Sequence, residues 1–177
     1  MKKGMTTRDM VRCALFAALI CVLSPFSIPI GPIPITLSLF AVMLCGVVLD
    51  WKSAGAAVLV YLLLGLIGIP VFSGGKGGLS VIIGPTGGYI WAYLPMAVII
   101  SLFARKGSYV RSGIVCALSL LICYCLGTLQ FCLVANYTLG AALAVCVWPF
   151  VPFDIIKAVC AALLGVRLRT ISAVKQN

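Results

Sequence analysis

Apolar residues run in long blocks along the chain, broken by short polar, Pro-rich or Gly-rich segments. An α-helix needs about 20 mostly apolar residues to cross the hydrocarbon core of a bilayer. Six blocks approach that length, at about 8–25, 35–50, 54–69, 88–104, 110–134 and 152–169. The first ends at Pro25 and leads into a loop carrying Pro25, Pro29, Pro32 and Pro34. Asp50-Trp51-Lys52-Ser53 reads as a tight polar turn between the second and third blocks. A Gly-rich connection, Pro70 to Gly88, precedes the fourth, which stops at Arg105-Lys106-Gly107. Asn136-Tyr137-Thr138 breaks the pattern after the fifth; the triplet also matches a glycosylation sequon, a match that chance often produces. The apolar stretch 139–148 is too short to span and is expected to form a short or re-entrant helix on the outer side. Pro152 is acceptable in the first turn of the last helix, where its missing N–H costs nothing.

Composition turns these helices into membrane spans. Of the residues, 63% are hydrophobic and 9% are charged, against about 25% charged in a soluble domain. The pattern predicts an all-α membrane protein, a six-transmembrane-helix bundle, with 1–177 as a single domain because no polar linker divides it. The basic N-terminus followed by an apolar stretch resembles a signal peptide. No small-residue cleavage site follows, so it is expected to be an uncleaved first span.

The net charge of +10 does not point to nucleic acid. The basic residues lie in small clusters at block ends: Lys2, Lys3, Arg8 and Arg12; Lys52; Arg105, Lys106 and Arg111; Arg167, Arg169 and Lys175. With six spans all of these fall on one side, which the positive-inside rule makes the cytoplasm. Both termini are then cytoplasmic, and only Lys76 and Lys157 fall elsewhere. The nine cysteines sit in apolar context without a Cys-x-x-Cys pair, and the chain has no histidine. They read as small hydrophobes between helices, with no expected metal or cofactor site.

Asp154 and Lys157 are the chemical anomaly. Standing three residues apart, they share one helix face. Lys157 precedes Arg167 by ten residues, roughly 15 Å of helix, which puts the ammonium near mid-membrane or a little above it. An acid or a base at such a depth costs about 2.5–3.5 kcal/mol and must face the bundle interior or a wet cavity. Two readings follow: a polar ligand site, or an ion pair that neutralises itself. Lys76, among Gly74, Gly75, Gly77 and Gly78, is not part of a phosphate loop, because Gly77 stands where a Walker motif needs Ser or Thr. It belongs either to a lid that attracts an anionic ligand or to a solvated loop. Ala14 and Ala18, one turn apart, allow close approach of another helix. Catalysis has little to work with, since there is no histidine or glutamate and there are three aspartates in all. An enzyme is not expected.

The motifs together resemble the BioY family, the biotin-specific S components of energy-coupling-factor (ECF) transporters. The resemblance lies in Ile28–Thr36 (IPIGPIPIT), Phe40–Gly46 (FAVMLCG), Tyr61–Phe72 (YLLLGLIGIPVF), Gly74–Gly78 (GGKGG), Gly84–Tyr89 (GPTGGY) and Pro149–Ala158 (PFVPFDIIKA), and runs from Thr7 to Arg169. Ser38 departs from it, standing where the family pattern has glutamine, which alters one cavity-facing hydrogen bond. The resemblance implies a six-helix bundle that takes up biotin across the bacterial cytoplasmic membrane. It places biotin near the outer face, beneath the loops joining the first and second spans and the third and fourth. It implies Asp154 and Lys157 as ligand-binding residues, with Lys76 in the covering loop and Thr36 at the end of the Pro-rich motif. Tyr89, Phe72 and Phe40 are candidate apolar walls. Ala14 and Ala18 match the small-residue motif with which S components dock a transmembrane coupling subunit, which works with two cytoplasmic ATPases. Another vitamin as ligand, or a self-sufficient transporter, is the competing reading; no inverted repeat of the latter kind is visible.

Overall fold

Residues 5–30, 33–104 and 108–174 are described by the computed structural model, with side chains through Ile171. Lys2, Lys3, Pro32, Arg105, Lys106, Gly107 and Lys175, invoked above for the loops and their charges, lie outside the described residues. The first helix, α1 (Thr7–Leu23), starts on a capping box. Thr6 Oγ1 accepts from the Asp9 N–H at 3.3 Å, and the Asp9 carboxylate accepts from the Thr6 N–H at 3.0 Å. Two backbone donors that the first turn cannot satisfy internally are thereby used.

The Pro-rich loop is not irregular throughout. Its two arms pair as a short antiparallel ribbon, β1 (Ser27–Pro29) and β2 (Pro34–Thr36), with Ile28 opposite Ile35. This pairing takes the residues expected to begin the second span. Helix α2 (Ser38–Val48) therefore has 11 residues and is about 16 Å long. Nine of those residues are buried, as in a helix enclosed on all sides. It packs against α1, α3, α5 and α8, and forms the centre of the bundle.

Asp50-Trp51-Lys52-Ser53 is a helix start rather than a free turn. The Asp50 carboxylate accepts from the Lys52 and Ser53 N–H groups and from the Ser53 hydroxyl at 2.7 Å, capping α3 (Trp51–Leu66). Beyond α3, Gly68 takes a φ of 102°, which a side chain would resist. The Gly-rich connection then holds a tight turn at Ser73–Gly75, closed by pairing of Phe72 with Lys76, and a one-turn helix, α4 (Leu79–Ile83).

Next come α5 (Gly87–Ala104) and α6 (Tyr109–Ala135), which pack closely along their lengths. Asn136, at φ 54°, ends α6 in the left-handed conformation. The short helix α7 (Leu139–Cys146) turns back toward α8 (Val151–Val174), which carries Pro152 in its first turn.

Helices α5 and α6 are each long and apolar enough to cross a bilayer. Together, α7 and the Val151–Ile171 part of α8 make a third such length, bent by 53°. Leu118, Leu121, Leu129 and Leu133 of α6 and Ile156, Val159 and Leu163 of α8 point outward and are exposed. Apolar surface of that extent needs lipid rather than water against it. The chain is a helical membrane protein.

Candidate ligand site

Asp154 and Lys157 do share one face of α8, near its N-terminal end. Lys157 Nζ donates to Asp154 Oδ1 at 2.9 Å, and both side chains are largely buried. The carboxylate lies in the first turn of α8, where the unpaired N–H groups of the helix favour a negative charge. Its second oxygen is also occupied. Tyr124, from α6, donates to Asp154 Oδ2 at 2.8 Å. Each carboxylate oxygen thus has one donor, and each retains lone-pair capacity for another.

These groups open onto a cavity between the helices, lined in part by β2 and by the α3–α5 connection. Its volume is about 150 Å³, counted as the space open to the centre of a water molecule. One water needs about 10–15 Å³ on that measure, so the cavity suits a small organic molecule rather than an ion.

Thr36, Lys76, Tyr89, Asp154 and Lys157 all line this cavity, although they come from β2, the Gly-rich turn, α5 and α8. Two other expected residues are elsewhere. Phe72 is fully buried, and its ring meets Tyr61 edge-on, with centroids 5.5 Å apart. It occupies the space left by Gly65 and backs the cavity wall from behind. Phe40 is half-buried against the core and is not among the lining residues. Ala14 and Ala18 are exposed on α1, on the side away from its buried Cys13, Ala17 and Ile20.

The structure adds a set of hydroxyls that sequence spacing could not assemble. Thr36 Oγ1, Ser38 Oγ and Tyr93 Oη are linked in series at 2.7 and 2.8 Å. Ser24 Oγ and Tyr61 Oη form a second buried pair at 2.6 Å. All five residues line the cavity. A hydroxyl can donate or accept, so these chains adapt their polarity, whereas the Asp154–Lys157 end carries fixed charges. Ile33, Leu39, Val81, Ile90 and Phe150 supply apolar wall. A mostly apolar enclosure with a few convergent polar groups is the usual form of a small-molecule site. Tyr124, Tyr93 and Tyr61 are not among the site residues that the sequence predicts. The available signal was a tyrosine inside an apolar block, whose hydroxyl needs a partner when buried. Among the described residues, no group of three or more His, Cys, Asp or Glu side chains could hold a metal ion.

Comparison with known proteins places this arrangement in context. The sequence profile described as the BioY family matches residues 1–173. Biotin transporter BioY of Thermotoga maritima is 41% identical over 169 residues, covering 92% of this chain and 96% of that protein. Biotin transporter BioY2 of Lactococcus lactis subsp. cremoris is 42% identical over 157 residues, covering 88% and 86%. Among solved structures, the crystal structure of the S-component for biotin from an ECF-type ABC transporter superposes with a TM-score of 0.88. Its sequence identity is 30%, and the match covers 94% of this chain and 95% of that one. The helical arrangement is thus the S-component fold.

Proposed function

The chain belongs to the BioY family, and from that premise we propose that it binds biotin in the central cavity and serves as the substrate-specific subunit of an ECF-type uptake system. It is a transport protein, not an enzyme. The observation that carries the site assignment is the convergence of Asp154, Lys157 and Tyr124 with the hydroxyls of Thr36, Ser38 and Tyr93 on one cavity. Biotin offers a ureido group with two N–H donors and an oxygen acceptor, an apolar bicycle and tail, and a carboxylate. One fixed ion pair, reversible hydroxyls and apolar walls match those demands. Lys76 and Tyr89 complete the proposed ligand contacts, with Phe72 as a supporting residue behind Tyr61.

We read the chain as one domain with six spans, formed by α1, α2, α3, α5, α6 and α8, and with both termini in the cytoplasm. The described basic residues support this orientation. Arg8 and Arg12 flank the start of α1, Lys52 the start of α3, Arg111 the start of α6, and Arg167 and Arg169 lie toward the end of α8. Alternating antiparallel spans put all of these at one end of the bundle, opposite the loops over the cavity. The outward Ala14 and Ala18 would seat a transmembrane coupling subunit, with two ATPase subunits beneath it. The ligand assignment is tested by titrating the purified protein with biotin, with riboflavin and thiamine as competitors. Saturable binding that neither competitor displaces is expected. Displacement at equal concentration would remove the claim to biotin specificity.

A further inference from the structure

Gln130, half-buried on α6, makes two contacts across the bundle. Its side-chain Nε2 donates to the carbonyl of Ile82 at 2.9 Å and to that of Gly84 at 2.8 Å. Both N–H groups of the amide are then used. Helix α4 is a single turn of five residues, too short to be stable in isolation. Its terminal carbonyls have no partner within the helix. Gln130 supplies a donor to one of them, that of Ile82, and joins the Gly87 N–H, at 3.0 Å, on the Gly84 carbonyl just beyond the helix.

Two glycines make room for this reach. A side chain at Gly87 would strike the Ile82 carbonyl and come 2.5 Å from Gln130 Nε2. At Gly88, it would lie 2.8 Å from Gln130 Cβ and collide with the Leu126 carbonyl. The segment held in this way supplies Val81 and Thr86 to the cavity wall, while Ile82 is buried beneath it.

The preceding part of the same connection is held by its own backbone instead: the Gly74 N–H donates to the Pro25 carbonyl at 3.2 Å and the Gly78 N–H to the Gly65 carbonyl at 2.7 Å. Gly74, Gly75 and Lys76 are exposed, and Gly74, Gly75 and Gly78 take φ values of 69°, 69° and 96°. This part carries Ser73 and Lys76 at the cavity. We propose that Gln130 is a positioning residue that clamps residues 79–87 to α6 as a fixed wall of the cavity. The inference rests on the cavity being the biotin site, because its kinetic consequence is read with biotin.

Hydrogen–deuterium exchange on the wild-type protein tests the clamp directly. Residues 79–87 should be protected with and without biotin. Fast exchange of residues 79–87 in the free wild-type protein would overturn the clamp. Gln130→Leu and Gln130→Glu remove the donors while keeping the size of the side chain. Losing two hydrogen bonds from the wall should speed biotin release about ten- to a hundredfold, with the association rate changed by less than about threefold. Release at the wild-type rate in both variants would refute the role, as would faster exchange spread throughout α5 and α6. Failure of the wild-type protein to bind biotin would overturn the ligand reading instead, and the exchange pattern would still decide the clamp.

Discussion

Lys157→Met keeps the length of the side chain and deletes its ammonium. In the wild type, that ammonium donates to Asp154 Oδ1 at 2.9 Å, and the acid side chain is 5% exposed. The variant leaves a buried carboxylate with Tyr124 as its remaining donor. Breaking a buried pair in this way costs about 3–5 kcal/mol. The opening of the cavity beside Lys157, itself 12% exposed, moves the expected loss toward the lower end. Asp154→Asn combined with Lys157→Met removes both charges at once. A pair replaced as a whole is often close to neutral for stability, so the double variant should unfold within about 1–2 kcal/mol of the wild type. Binding should behave differently. If each charge meets the ligand, affinity falls in both single variants and stays low in the double variant. Truncating one group of a buried charged contact costs about 2–5 kcal/mol, and about 3 kcal/mol is roughly a 150-fold weaker Kd. Thermal unfolding in detergent and calorimetric titration with biotin, run on all four proteins, separate the two effects. A double variant that is stable and binds biotin like the wild type would refute the argument, and would make the pair a purely structural one.

Tyr124→Phe removes one hydrogen bond to a carboxylate at constant shape. Such a bond is worth about 1.5–3 kcal/mol, so biotin affinity should drop about ten- to a hundredfold while the far-ultraviolet circular dichroism stays unchanged. Gly127→Ala would put a methyl group into the ring of Tyr89. Overpacking costs about 1–3 kcal/mol, and the displaced cavity wall should weaken biotin binding along with thermal stability; an unaltered melting curve would contradict the packing. Ala14→Trp or Ala18→Trp should abolish co-purification with the coupling subunit and leave biotin titrations unchanged, because both positions face outward on α1. Retained co-purification would count against docking at that face.

The helices were legible wherever the cause was local. The polar break at Asn136, the short helix after it and the tolerance of Pro152 follow from backbone preferences of neighbouring residues, and α5 and α6 start and stop within a few residues of the apolar blocks. The i, i+3 spacing by itself puts Asp154 and Lys157 on one face. Pro25–Thr36 and Pro70–Gly88 were the least legible segments, because Pro and Gly signal turns but do not say which arms pair. The β1–β2 ribbon and α4 are stabilised by partners distant in sequence: Gly74 N–H donates to the Pro25 carbonyl at 3.2 Å, and Gln130 holds the end of α4.

Phe72 and Phe40 show the same limit among side chains. An aromatic residue next to a binding motif has equal apolar content whether it faces the ligand or the core, and Phe72, in the connection beyond α3, fills the space left by Gly65 and sits behind Tyr61. Composition and charge spacing alone imposed a membrane environment, helices of limited length, and an acid and a base too costly to leave facing lipid. Which groups answer that acid is a matter of how α6 and α8 are rotated and how closely they pack. Small residues and side-chain shape govern that packing, and no periodicity along a single helix encodes the Tyr124 hydroxyl 2.8 Å from Asp154.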